Sequence, residues 1–321
     1  MKRLILALFA TLALLAGCAT LDEKQRAWIF QPSDRSWAGG TYAAESMQDV
    51  WIDFTSSVTG KPVKLHGLWA QNDNFTERAD APVLLYLHGA RFNVTGSAFR
   101  AQRMQELGFS VLAIDYRGFG KSTNELPSEE LAYEDARTAW TWLGEKYPGR
   151  PRYIFGHSLG GAIAIELAAQ VPDEAGTVVE GTFTSIPDVV STFKWGWLPV
   201  SLLITQRFEA VKRVAEIGSP LLVVHGTSDR LIKPELGQKL FDAASGRKAL
   251  VMVEDHGPGM DAQDLARLGD RFFRVPGNGA DGSGLGWSIV RRVAQRYGLQ
   301  VLVDGSPDLG GLRVTLTWPA L

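Results

Sequence analysis

The sequence has little cysteine and little net charge, and each shortage excludes a class of protein. Cys18 is the only cysteine among 321 residues, so neither an intrachain disulfide nor a cysteine-built metal site can form. Lys and Arg number 33 against 35 Asp and Glu, a formal net charge of −2. Without a positive field, we expect no nucleic-acid partner. The sequence leaves the oligomeric state open.

A short apolar segment near the N-terminus predicts a targeting signal. Residues 4–15 are almost all apolar and follow two basic residues, Lys2 and Arg3. About twelve apolar residues are too few to span a bilayer, and the order of basic, apolar and small residues is typical of a secretory signal. The sequence LAGC, which ends at Cys18, resembles the bacterial lipobox. An uncleaved anchor and an unlipidated signal are the alternatives.

The lipobox resemblance implies a particular place for the protein. Residues 1–18 would be the signal peptide, and Cys18 would carry acyl chains that hold the protein to a membrane. Ala19, rather than an aspartate, follows the cysteine, which in a Gram-negative host implies the periplasmic face of the outer membrane. Residues 19–40 are polar and turn-rich, and we expect them to form a tether.

Apolar runs alternate with amphipathic patterns between residues 49 and 254. This alternation predicts an α/β fold with a doubly wound, mostly parallel sheet and right-handed crossovers. The predicted strands are Asp49–Phe54, Pro62–Ala70, Pro82–Leu87, Ser110–Ile114, Arg152–Phe155, Thr177–Val179, Pro220–Val224 and Ala249–Val253. The predicted helices are Leu131–Tyr147, Gly160–Gln170 and Glu235–Ala244.

A G-x-S-x-G motif at residues 156–160 joins a predicted strand to a predicted helix. In that setting the serine, Ser158, lies on a strained turn, and the glycines allow close backbone packing. Serine is a weak nucleophile, so it needs a base and hydrogen-bond donors for an oxyanion. We expect the Leu159 N–H to be one donor. His88 and Gly89 follow an earlier strand, so the Ala90 N–H is the other candidate.

Residues 115–122, DYRGFGKS, follow the strand after that one. With the two motifs above they resemble α/β-hydrolases, in the short-cap, serine aminopeptidase-like and esterase-like branch, over about residues 25–253. The resemblance implies a domain at 41–253 with a small cap at about 181–217. It also implies an acid after a later strand, which is Asp229 in HGTSDR. Asp115 precedes the serine, so we interpret it as structural.

The general base is the weakest part of this resemblance. In these hydrolases the chain order is Ser, acid, His, and His256 is the only histidine after Asp229. The family's histidine would fall near Pro258, and two residues of extended chain span about 6.6 Å. A serine–histidine hydrogen bond does not tolerate that displacement without loop rearrangement. The resemblance thus implies a serine hydrolase of esters, small amides or peptides, needing no cofactor, whose histidine is displaced.

After residue 250 the sequence contains three further motifs in order: VMVEDHGPGM at 251–260, LARLGDRFFR at 265–274 and GSGLG at 282–286. They resemble the D-x-G-x-G box, the F box and the second glycine box of the ATP-binding domain of histidine kinases. The resemblance implies an adenine contact by Asp255 and phosphate contacts by glycines. The glycines concerned are Gly257, Gly259, Gly282, Gly284 and Gly286.

The same segment lacks parts that this family needs. No asparagine lies between residues 125 and 277, so the helix that would hold Mg²⁺ is absent, as is a phospho-acceptor histidine. We therefore interpret residues 254–321 as a partial α+β fragment of an ATPase fold, joined to the hydrolase inside one strand. Two alternatives stay open: an ATP-binding, kinase-like protein, and a catalytically inactive hydrolase fold that serves as an envelope binding module.

Overall fold

The computed structural model describes residues 19–33, 38–72, 82–193, 203–227, 229–253, 300–305 and 312–317. The chain divides into two compact units, Met1–Met252 and Val253–Leu321. Cys18 and most of the predicted ATPase fragment, including His256, Asp255 and all five glycines named with it, lie outside the described residues.

The first unit is built on one eight-stranded sheet. Its strands are β1 (Gln48–Thr55), β2 (Pro62–Ala70), β3 (Val83–Leu87), β4 (Ser110–Ile114), β5 (Arg152–His157), β6 (Glu174–Glu180), β7 (Leu221–Gly226) and β8 (Lys248–Val253). Their order across the sheet is β1-β2-β4-β3-β5-β6-β7-β8. β1 and β2 form an antiparallel hairpin, and β4, β3, β5, β6 and β7 run parallel. The predicted mostly parallel sheet is confirmed.

Helices cover the sheet. They are α1 (residues 19–30), α2 (Ala38–Glu45), α3 (Val94–Glu106), α4 (Glu129–Lys146), α5 (Leu159–Ala168), α6 (Ile186–Ser191), α7 (Ala210–Arg213) and α8 (Pro234–Ala243), with a 3₁₀ turn at Val214–Glu216. α4 begins where the Ser128 side chain accepts the Leu131 N–H, and Glu129 and Glu130 occupy its positive first turn. All five side chains of β3 are buried, as expected for a parallel strand whose sheet is covered by helices on both faces.

The two faces of the sheet carry separate apolar clusters. Leu85 and Leu87 of β3 pack with α4, α5 and the end of α1. Leu84 and Tyr86 point the other way and pack with α2 and α3. Successive strand side chains alternate between faces, so α1 and α2 lie on opposite faces of the sheet.

The segment expected to be a turn-rich tether contains helices instead. Residues 19–30 form α1, which ends in the buried side chains of Ile29 and Phe30. Phe30 makes edge-to-face contacts with Phe119 and Phe208, with centroids 6.3 and 5.8 Å apart. Residues 19–30 contain no Gly or Pro, so the local sequence permits a helix, and the burial of Ile29 and Phe30 stabilises it.

The second unit contains one described sheet. β9 (Gln300–Gly305) and β10 (Leu312–Thr317) pair antiparallel, with Val303 opposite Val314. None of the helices within the described ranges is long and apolar enough to cross a membrane.

Candidate active site

Ser158 lies on a sharp turn between β5 and α5. Its backbone has φ 54° and ψ −120°, a left-handed conformation that costs a non-glycine residue energy and that persists only where neighbours hold it. The Ser158 N–H donates to the Glu180 carbonyl at 2.9 Å, and the Ser158 carbonyl accepts from the Gly161 N–H at 2.9 Å. The Ser158 side chain caps no backbone group of α5. The strained turn predicted from the motif is therefore present.

Two glycines of the motif permit the close packing around this turn. A methyl group on Gly156 would overlap the Gly160 carbonyl and the Gly161 Cα. A methyl group on Gly160 would overlap the carbonyl oxygens of Leu87 and His88 at the end of β3. The start of α5 thus lies directly against the end of β3, which brings the serine beside the loop that follows β3.

That loop lies against the serine. A methyl group on Gly89 would stand 3.0 Å from the Ser158 Cβ. His88 Nδ1 donates to the Gly89 carbonyl at 2.7 Å, which fixes the peptide group that contains the Ala90 N–H. Burial lowers the pKa of His88, so this ring is neutral. The two predicted donors, Ala90 and Leu159, therefore belong to segments adjoining Ser158.

The loop after β3 is also held in place at Arg91 and Phe92. Arg91 and Phe92 both have left-handed backbones, with φ 64° and 56°. The Arg91 N–H donates to the Phe30 carbonyl at 2.8 Å, and Arg91 Nε donates to Gln31 Oε1 at 3.0 Å. The end of α1 thus holds the segment that follows Ala90, which the sequence analysis did not anticipate.

Asp115 is a buried anchor for the same loop. Its Oδ1 accepts the Val94 N–H at 2.7 Å, at the start of α3, and its Oδ2 accepts from His66 Nδ1 at 3.1 Å. His66 Nε2 meets Asp49 Oδ1 at 2.6 Å. Burial opposes charge on His66, but the hydrogen bonds to Asp115 and Asp49 outweigh it and raise the pKa of His66. These contacts agree with a structural interpretation of Asp115.

Asp229 lies in the loop after β7. Its Oδ1 accepts the N–H groups of Leu231 and Ile232, both at 2.9 Å. Its Oδ2 is 3.9 Å from the position of a methyl group on Gly181. Gly181 directly follows Glu180, whose carbonyl holds Ser158. Asp229 and Ser158 therefore lie on either side of the C-terminal end of β6.

Within the described residues, no histidine connects Ser158 with Asp229. His225 is fully buried; its Nε2 donates to the Ile232 carbonyl at 2.8 Å and lies 3.7 Å from Asp229 Oδ2. His157 Nδ1 lies 3.5 Å from Glu180 Oε2. Of the histidines whose positions the structure gives, none hydrogen-bonds to Ser158. The predicted base, His256, is outside the described residues.

Two contacts of the serine turn have no signal in the sequence. The Thr182 hydroxyl donates to the Ser158 carbonyl at 2.8 Å, and the Glu180 carbonyl accepts the Ser158 N–H. Burial raises the pKa of the Glu180 side chain, but His157 and Arg100 outweigh burial and lower it to about 2. Only the pairing of β5 with β6 could have identified these residues.

The described residues do not fit a metal. Over that part of the chain, no group of three or more His, Cys, Asp or Glu side chains could hold an ion. The only asparagine between residues 228 and 321 is Asn278, which the structure does not describe. We therefore derive no step through ATP or Mg²⁺.

The parallel sheet and the serine turn at the end of its β5 strand define a hydrolase fold of the α/β class, and the chain belongs to the α/β-hydrolase family. Within that class, residues 78–208 match the family described as serine aminopeptidase, S33. This confirms the resemblance drawn from the motifs.

The chain is also similar in sequence to proteins of other organisms. An uncharacterized protein of Mycobacterium tuberculosis is 33% identical over 253 residues, which are 78% of this chain and 85% of that protein. A lysophosphatidylserine lipase ABHD12 of Danio rerio is 31% identical over 188 residues, 53% of this chain and 49% of that protein. The chain thus spans about half the length of this lipase.

Solved structures share the fold. An alpha-beta hydrolase from Vibrio vulnificus superposes with a TM-score of 0.56 at 20% identity, over 71% of this chain and 84% of that one. The Pyrococcus furiosus esterase Pf2001 gives a TM-score of 0.53 at 21% identity, over 70% and 88% of the two chains. At these identities the likeness shows the fold alone.

The C-terminal resemblance is confirmed as well. Residues 228–321 match the family described as histidine kinase-, DNA gyrase B- and HSP90-like ATPase. The match begins before α8 and β8, so it overlaps the last strand and helix of the hydrolase sheet.

Proposed function

We propose that the protein is a serine hydrolase that cleaves carboxylic esters or small amides through an acyl-enzyme. The left-handed turn at Ser158 carries this proposal: its peptide groups are fixed by Glu180, Gly161 and Thr182, while its hydroxyl caps no helix group. A strained nucleophile at the end of a strand is the arrangement that α/β-hydrolases use.

The proposed reaction gives each of the predicted site residues a role. Ser158 Oγ attacks the carbonyl carbon, its proton passes to His256, and the N–H groups of Ala90 and Leu159 bind the oxyanion. Collapse expels the alcohol or amine, which takes the proton from the imidazolium, and leaves the acyl group on the serine. Water then repeats the sequence and releases the acid. In the residue order that the family resemblance implies, Asp229 would orient this histidine.

Acyl esters of lipids are the substrates we favour. The lysophosphatidylserine lipase ABHD12 shares 31% identity with this chain, and a Cys18-linked lipid would hold the site near membrane lipids. We therefore expect the protein to hydrolyse a monoacyl phospholipid faster than an aminoacyl amide at the same concentration. Faster amide cleavage would favour the peptidase alternative instead.

The proposed location is the bacterial cell envelope, with the protein held through lipidated Cys18. The LAGC sequence that ends at Cys18 supports it. Mass spectrometry of the N-terminal peptide should show a diacylglyceryl adduct on this cysteine, and Cys18→Ser should release the protein from membranes.

Fluorophosphonate labelling tests the proposed chemistry. The purified full-length protein should form a covalent adduct on Ser158, and Ser158→Ala should abolish it. Ser191→Ala, which removes an exposed serine of α6, is the matched control and should label normally. His256→Ala should lower the labelling rate by about a thousandfold or more.

The outcomes separate the candidate functions. If His256→Ala labels normally, another group is the base. If the folded wild-type protein does not label, the chain keeps a hydrolase fold without hydrolase chemistry. Ligand binding without turnover would then favour an envelope binding module.

Nucleotide binding is a second candidate, favoured by the family match over residues 228–321. The residues that would contact ATP are outside the described ranges, and the Mg²⁺-binding asparagine is missing from the sequence. Isothermal titration with ATP and Mg²⁺ tests this candidate directly.

A further inference from the structure

Exposed apolar side chains mark one side of α1. Leu21 and Trp28 are 40% and 57% exposed, and residues seven apart lie on the same face of a helix. Lys24, also exposed, lies between them. Gln25, the neighbouring side chain on the helix, donates to the Leu203 carbonyl at 2.7 Å. Leu203, 61% exposed, therefore lies beside them. We define Leu21, Lys24, Trp28 and Leu203 as the α1 edge.

Contacts on the opposite side of α1 hold this edge to the hydrolase unit. Asp22 Oδ1 accepts from the Thr205 hydroxyl at 2.7 Å and from Gln206 Nε2 at 2.9 Å. Arg26 Nε donates to the Pro127 carbonyl at 2.9 Å, and Phe30 is fully buried. The α1 edge is therefore a fixed surface of the unit rather than part of a loose arm.

The place of α1 in the sequence indicates what covers this edge. The described helix begins at residue 19, directly after Cys18, which the proposed lipid anchor places at a membrane. At 1.5 Å per residue, Trp28 is only about 14 Å along the helix axis from residue 19, the first residue of the described helix. Trp and Lys are side chains that favour the membrane–water interface, and Lys24 would attract anionic headgroups.

We infer that the α1 edge rests on the surface of a lipid bilayer, with its apolar side chains among the headgroups and Lys24 paired with anionic lipid. This inference depends on the proposed anchor at Cys18. Because the Phe30 carbonyl accepts the Arg91 N–H, the same helix connects the membrane surface to the loop beside Ser158. The site is thus held at a fixed distance from the lipid it is proposed to cleave.

Site-specific fluorescence tests the edge. If Cys18 is lipidated its thiol is blocked, so Leu203→Cys supplies the only reactive thiol of the full-length protein. The protein is labelled with nitrobenzoxadiazole and reconstituted in vesicles of phosphatidylethanolamine and phosphatidylglycerol. We expect blue-shifted emission, most of which is lost when the vesicles contain nitroxide-labelled phospholipid, because an interfacial helix lies about 5–10 Å deep.

Tyr42→Cys is the matched control. Tyr42 is 77% exposed on α2, on the opposite face of the sheet, and its label should remain in water and unquenched. If the label at position 203 behaves like the label at position 42, the edge does not contact lipid and the inference is wrong. If the unsubstituted protein itself takes up the label, Cys18 is free, and the anchor on which the inference depends is refuted.

Discussion

The turn at Ser158 depends on glycines that no other residue can replace. Because a methyl group on Gly160 would overlap two backbone carbonyls of the β3 end, we expect Gly160→Ala to destabilise the protein by about 1–3 kcal/mol or more. The shift of α5 should also reduce fluorophosphonate labelling. Urea denaturation measures the first effect and the labelling rate the second.

Gly218→Ala is the control for this substitution. Nothing lies within 4 Å of the added methyl group at Gly218, so the free energy of unfolding should change by less than about 0.5 kcal/mol. Equal stability of the two variants would show that α5 does not pack against β3 as the structure places it.

His66 should make stability depend on pH. Its two ring nitrogens face carboxylates of Asp115 and Asp49, and these raise its pKa in the folded state despite burial. A raised folded pKa contributes stability that is complete below the unfolded value of 6.5 and is lost as pH rises through the folded value. We expect His66→Gln to cost about 1.5–3 kcal/mol at low pH and less at high pH.

Thermal unfolding between about pH 5 and pH 9 measures this difference. Asp49→Asn removes the more exposed of the two carboxylates and should flatten the dependence without abolishing it, because Asp115 remains. If His66→Gln lowers the stability by the same amount at about pH 5 and at about pH 9, His66 is not charged in the folded protein.

At the scale of elements, α1 is part of the hydrolase unit rather than an appendage. Phe30→Ala should cost about 3–5 kcal/mol, since the ring is fully buried between Phe119 and Phe208. Trp28→Ala, on the exposed side of the same helix, should change stability by less than about 0.5 kcal/mol. Guanidinium denaturation in detergent compares them, and a Phe30→Ala cost below about 1 kcal/mol would contradict this packing.

Some helices and strands of this fold could be predicted from the sequence and others could not. Strands such as β3 and β4 are short apolar runs between turns, and Ser158 follows from a local motif, so both could be predicted. α1 could not, because its stability comes from contacts with residues 119, 126, 127 and 203–208 that are remote in the sequence. The Thr182 and Glu180 contacts to Ser158 likewise depend on the pairing of β5 with β6.

At the scale of the whole molecule, two families meet in one chain. The hydrolase match covers residues 78–208 and the ATPase match residues 228–321, so α8 and β8 of the hydrolase sheet fall within the second match. Ala249–Val253 is an apolar run that by sequence suits the last strand of the hydrolase sheet or the strand before the glycine boxes of the ATPase fold. In the structure its side chains are only partly buried, and those of Met252 and Val253 are exposed. The predicted acid, Asp229, and the predicted base, His256, both lie in the stretch that the second family matches.

If the second unit bound nucleotide, the whole molecule would show it as added stability. A ligand at one hundred times its dissociation constant stabilises the folded state by about 2.7 kcal/mol, which corresponds to roughly 11–22 °C in Tm for a unit of the size of Val253–Leu321. Because the sequence supplies no asparagine helix for Mg²⁺, we expect ATP with Mg²⁺ to leave the Tm unchanged. Differential scanning fluorimetry with increasing ATP measures this, with adenosine as the control. A rise in Tm that saturates with ATP and is absent with adenosine would show that the glycine segments bind phosphate.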